Sequence, residues 1–93
     1  MSFLEFGEIK ELFTGANYSY GILGMYFKTT ITEVEEIKDD FWGDKARLTL
    51  KDNLGFIDVP MANIKRVDDI EEVEYYYILK NLLDEEIGHI WRR

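Results

Sequence analysis

Ala46, Leu48 and Leu50 alternate with Arg47, Thr49 and Lys51, the period of a strand with one buried and one solvated face. Asp52-Asn53-Leu54-Gly55 follows as a hairpin loop, and Phe56-Ile57-Asp58-Val59 returns as the partner strand. Pro60, the only proline, ends that strand because it has no N–H to give the ladder. The 93 residues make a single domain, residues 1–93. Its core is thin, because a chain this short buries only about 60–65% of its unfolded surface.

The flanking segments predict the remaining elements. Ser2 and Glu5 have capping-box spacing, and Phe6, Ile9, Leu12 and Phe13 follow at helical spacing up to Gly15; together they predict a helix over about residues 3–14. Residues 15–21 read as a loop rich in Gly and Asn, with Tyr18 and Tyr20 as anchoring or recognition residues. From Ile22 to Ile37 the chain is β-branched and aromatic, and Phe27, Thr29 and Ile31 keep strand phase. The phase then slips at Val34, which a β-bulge explains. A competing helical reading rests on the capping-box spacing of Thr32 and Glu35 and on Ile31, Val34, Ile37 and Phe41. Residues 39–44 form an acidic loop around Phe41 and Trp42, residues 61–64 a single tight turn, and residues 65–68 a short last strand. Asp69 is a plausible N-cap for a closing helix with Glu71, Glu72 and Glu74 in its first turns and Val73, Tyr76, Tyr77, Leu79, Lys80, Leu83 and Ile87 on its buried stripe, ended by Gly88.

The expected fold class is therefore α+β: a small antiparallel barrel or sheet flanked by an N-terminal and a C-terminal helix. Strand, hairpin, strand, single turn and short strand over residues 47–68 resemble the layout of SH3-like and Sm-like barrels. That resemblance is to an architecture and carries no function.

Composition removes several chemistries. There is no cysteine, so no disulfide framework, thiol catalysis or Cys-based zinc site is available, and the composition suits a reducing cytoplasm. His89 is the only histidine, which rules out a two-His metal site within one chain. Asp39, Asp40 and Asp44 lack the spacing of a calcium loop. Ser2 and Ser19 are the only serines, and neither lies in a nucleophile elbow. Gly21-Ile22-Leu23-Gly24 lacks the lysine of a phosphate loop. The first residues do not read as a signal peptide, and the uncharged stretch Leu12–Phe27 is too polar to span a bilayer. No catalytic residue, cofactor or metal is expected.

Charge is the feature that points to function. The net charge is −8, unfavourable for direct contact with nucleic acid or an anionic membrane and favourable for encounter with a basic protein. The acids cluster: six in residues 33–44, five in residues 68–74, and Asp84-Glu85-Glu86. If these runs share a face, that face can stand in for phosphates on a basic, nucleic-acid-binding partner. In size, charge and lack of catalytic apparatus the chain resembles small acidic inhibitors of the anti-CRISPR and anti-restriction kind. The expected partner-binding residues are Glu33, Glu35, Glu36, Asp39, Asp40, Trp42, Asp44, Asp68, Asp69, Glu71, Glu72 and Tyr75. The alternative is a regulatory or assembly module that binds through Trp42, Tyr75 and the last helix, or pairs with itself as a homodimer.

Overall fold

Strand alternation organises most of the regular structure. The structure is a computed structural model and describes residues 4–93. One helix, α1 (Phe6–Phe13), precedes β1 (Asn17–Ile22), β2 (Met25–Ile37), β3 (Lys45–Leu50), β4 (Phe56–Pro60), β5 (Ile64–Arg66), β6 (Tyr75–Lys80) and β7 (Glu86–Arg92). A 3₁₀ turn, Met61–Asn63, joins β4 to β5. The seven strands form one sheet in the order β4-β3-β2-β1-β7-β6-β5, with antiparallel neighbours throughout. β4 and β5 are the two edges, yet only a three-residue turn separates them. The sheet therefore has to curl until its edges approach, and β4 comes against β6 in a nearly closed barrel.

This overturns the expected α+β class with a helix at each end. The fold is mostly β, and the segment expected to close the chain as a helix is the β6–β7 hairpin. Tyr75, Tyr77 and Leu79 are buried while Tyr76, Ile78 and Lys80 are half-buried, so alternation places the tyrosine run more economically than a helix. Asp69 and Glu72 sit at φ +66°, and Asp84 at +62°, conformations no helix accommodates. At the β6–β7 turn, Asn81 Oδ1 accepts the N–H groups of Leu83 and Glu85, both at 2.9 Å, an Asx-type closure that stops any helix there.

Elsewhere the local chemistry decides boundaries. α1 is capped by Glu5, whose N–H donates to Glu8 Oε1 at 3.2 Å. The Ser2 half of the expected capping box lies outside the described residues. Residues 17–21, expected as loop, belong to β1. Residues 31–37 are strand, and the register shifts between Ile31 and Glu33, so a bulge carries both Ile31 and Val34 into the core. α1 packs on β2 through Ile9 and Phe13, and the Phe13 ring meets Tyr77 edge-on at 5.3 Å.

β1 and β7 pair over only three residues, Asn17–Ser19 against His89–Trp91. At this seam the Tyr18 ring lies over Gly88, and its hydroxyl donates to Ile87 O at 2.5 Å. Burial first, and Tyr20 second, push the Tyr18 pKa up from 10.0 to about 12, which favours the neutral donor. A Cβ at Gly88 would collide with the Tyr18 ring. Gly88→Ala should therefore destabilise the protein by about 2–3 kcal/mol in urea denaturation. Gly7→Ala in α1, where nothing lies within 4 Å of the new methyl, should stabilise by up to about 1 kcal/mol. Equal effects at the two glycines would show that the seam is not tightly packed.

Candidate functional site

Register fixes which side chains leave the barrel. Tyr18, Ile90 and Tyr77 are cross-strand neighbours on the core side. The intervening residues Ser19, His89, Trp91 and Tyr76 therefore share the outer face of β1, β7 and β6. The β5–β6 loop is tied at both ends by Val67 N–H to Tyr76 O at 2.8 Å and Glu74 N–H to Arg92 O at 2.6 Å. Held there, it brings Glu71, Glu72 and Val73 against that outer face. The result is a groove of about 680 Å³ whose walls also include Tyr20, Tyr26, Glu86 and Arg93.

The groove is chemically mixed. Trp91 is 8% exposed, and its Nε1–H donates to Ser19 Oγ at 3.2 Å. Two cations lie over its ring, Lys28 Nζ at 4.8 Å and the Arg93 guanidinium at 5.5 Å from the centroid. Tyr76 Oη is 2.5 Å from His89 Nδ1, and His89 Nε2 contacts the Glu86 carboxylate. The tautomer with hydrogen on Nε2 satisfies both bonds: Tyr76 donates to Nδ1, and Nε2–H donates to Glu86. Burial, then the Tyr26 and Glu86 charges, raise the Tyr76 pKa and keep its hydroxyl protonated. Ser19 lies opposite His89, but Ser19 is buried and both ring nitrogens of His89 are engaged elsewhere. Ser19 therefore has no free base beside it.

The expected partner-binding residues do not form one surface. Glu71 and Glu72 line the groove. Tyr75 is 7% exposed, its hydroxyl donates to Leu12 O and accepts from Arg92 Nε at 3.1 Å, and it takes no part in an outer surface. Much of the first acidic run is spent on the chain's own structure. Asp39 Oδ1 accepts the Phe41 and Trp42 N–H groups, each at 2.9 Å, and its other oxygen pairs with Lys45 at 3.0 Å. Lys38 sits 3.2 Å from Glu36 and 3.3 Å from Asp44, and Arg66 takes Asp68 at 3.0 Å. Glu33, Glu35, Asp40 and Asp69 remain exposed, with Glu35 in register with Arg47. Trp42 is exposed beside Phe41, away from the groove and next to Leu4, Pro60 and Met61.

The groove residues Tyr26, Tyr76, Glu86, His89, Trp91 and Arg93 were not among the expected partner-binding residues, and Tyr20 was expected only as an anchoring or recognition residue of a loop. A strand reading of residues 75–80 and 86–92 was the available signal, because alternation there separates inward Tyr75 and Tyr77 from outward Tyr76. Among the described residues, no group of His, Asp and Glu side chains is arranged to hold a metal ion, and no helix is long and apolar enough to cross a membrane. No family model matches the chain, and neither curated proteins nor solved structures give a match.

The Trp42 N–H, the Lys45 ammonium and the Phe41 N–H, in that order, hold the Asp39 pKa down from 3.8 to about 2. A depressed carboxylate contributes stability that is present above the unfolded value and lost as pH falls through the folded one. Asp39→Asn should therefore be less stable than the parent at neutral pH, with the gap closing between pH 3.8 and about 2. Urea titrations at pH 7, 3 and 2 check this, and a gap that stays constant across them would contradict it.

Proposed function

We propose that this chain is a non-catalytic acidic binding protein that takes a basic surface of a partner protein into the groove. The observation that carries the reading is the convergence of Glu71, Glu72 and Glu86 with Tyr26 and Tyr76 in one depression. Carboxylates beside aromatic faces are the chemistry that receives arginine and lysine side chains, through charge-assisted hydrogen bonds and cation–π contact. The chain's own Arg93, a groove residue placed over Trp91, supports the fit of a guanidinium.

The proposal narrows the broad phosphate-mimicking face expected from the sequence. Two of the three acidic runs contribute to the groove, whereas the run at residues 33–44 is partly neutralised by Lys38 and Lys45. The net charge of −8 still steers encounter with a basic partner. A nucleic-acid-binding protein presents such a surface, and occupying it makes this chain an inhibitor or regulator of that partner. Nucleic acid itself is not the ligand on this reading, and the cysteine-free composition fits work in the cytoplasm.

A fluorescent oligoarginine peptide tests the site by anisotropy. Neutralising the groove with Glu71→Gln, Glu72→Gln and Glu86→Gln together should weaken binding by about tenfold or more, since desolvated charge pairs are worth more than rim charges. Glu33→Gln with Glu35→Gln, on β2, should change it by less than about twofold, because these carboxylates lie outside the groove and stay solvated when the peptide is bound. Equal losses in both variants would reduce the interaction to bulk charge and remove the groove from it.

A further inference from the structure

β1 and β2 continue past the barrel as a two-stranded arm. β1 meets β7 only at Asn17–Ser19, and β2 meets β3 only from Ile31 onward. Between these limits the strands pair with each other alone, closing through Leu23-Gly24 at φ +49° and +80°, the signature of a tight primed turn. Met25, Tyr26, Phe27 and Lys28 are all exposed, which for consecutive strand residues means that both faces of the arm are open. Leu23 at the tip is 97% exposed and Met25 75%. A hairpin without a third strand is marginal in water, and an open apolar edge is a template for pairing.

The hydrogen-bonding parity of that edge is determined. Thr30 O accepts from Lys51 N–H at 3.0 Å, so the polar backbone groups of Thr30 point away from β1. Alternation then points the N–H and C=O groups of Lys28 and Tyr26 the same way, to an edge where no strand pairs with them among the described residues.

We propose that this edge of β2 pairs antiparallel with the same edge of a second copy, about a two-fold axis through Phe27. Charge distribution selects the occupant. Residues 12–32 contain no acid and one cation, Lys28, in a chain of net charge −8. Two such chains repel over most of their surface and least along this arm. The register is self-complementary. Tyr26 faces Lys28 of the second copy, each such pair exchanges both N–H···O bonds, and Phe27 faces Phe27 as a non-hydrogen-bonded pair. The arms then form a four-stranded sheet and bring the two Phe27 rings together.

The absence of cysteine makes the test direct, because a single introduced thiol can only form a disulfide between copies. Opposed residues of a non-hydrogen-bonded pair have Cα atoms roughly 4.5 Å apart, within the reach of a disulfide. Phe27→Cys should give a covalent dimer as the dominant species under mild oxidation, while Glu33→Cys, on β2 beyond the arm, should stay mostly monomeric. Sedimentation velocity on the unaltered chain should show a concentration-dependent dimer that Lys28→Pro abolishes. That proline removes an outward N–H and leaves the ladder to β1 intact, so thermal stability at dilution should be nearly unchanged. A monomer at every concentration, or equal cross-linking at both cysteines, overturns the proposal. So does flotation of a monomer with zwitterionic lipid vesicles, which would assign the arm to a membrane surface. The Glu71→Gln, Glu72→Gln, Glu86→Gln protein, altered in the groove alone, should still dimerise in sedimentation, so failure of one proposal is distinguishable from failure of the other.

Discussion

The contact of the Tyr18 ring with Gly88 sits at the short seam where the two halves of the sheet pair. β4-β3-β2-β1 and β7-β6-β5 join through three residue pairs. The seam is reinforced by Tyr18 Oη–H to Ile87 O, by Trp91 Nε1–H to Ser19 Oγ, and by Asn17 Nδ2–H to Trp91 O at 3.3 Å. Hydrogen bonds of this kind contribute about 1 kcal/mol each, but leaving a buried partner unpaired costs more. Among the described residues every buried side-chain polar atom has a partner, so the seam works as a set. The groove lies across the same seam, with Ser19, Tyr20, Gly21 and Tyr26 from one half and Tyr76, Glu86, His89 and Trp91 from the other. A ligand bridging those halves would stabilise the joint it sits on.

Acid abundance is a property of the sequence, but acid availability is a property of the fold. Asp39, Asp44 and Asp58 build the β2–β3 loop and the outer face of β3: Asp39 and Asp44 cap backbone N–H groups, and Asp58 takes Arg47 at 2.9 and 3.1 Å. Exposed pairs such as Lys38–Asp44 add little stability, yet they still cancel charge where a partner would need it. The β5–β6 loop differs because Asp68 alone takes Arg66, leaving Glu71 and Glu72 to face the groove.

The parts of the fold legible in the sequence were those whose signals are local. The Asp52–Gly55 turn, the end of β4 at Pro60, the single turn after it and the phase slip near Thr32 all follow from turn chemistry or period. The last third was misread because its pattern satisfies two periods. Val73, Tyr76, Tyr77, Lys80, Leu83 and Ile87 fit a helical stripe, and the acids near Asp69 imitate an N-terminus. What separates the readings is tertiary: β6 has β5 and β7 to pair with, and β7 needs Gly88 under Tyr18. A short-range pattern cannot register a neighbour supplied by β1, some seventy residues earlier in the chain. The groove depends on that pairing, and a helix over residues 69–87 puts Tyr76 on a buried stripe rather than on an outer strand face.

The groove and the free edge meet at Tyr26, and strand geometry keeps the two uses compatible. Its side chain lines the groove, whereas its N–H and C=O point along the sheet to the edge. These directions are perpendicular, so backbone pairing does not consume the ring. Charge divides the same way: the arm is free of acids and the groove carries three glutamates. Self-pairing through the arm would hold two acidic grooves in one particle. A basic partner with two matching sites would then meet the second at high effective concentration, and modest affinity per groove would suffice for stable capture.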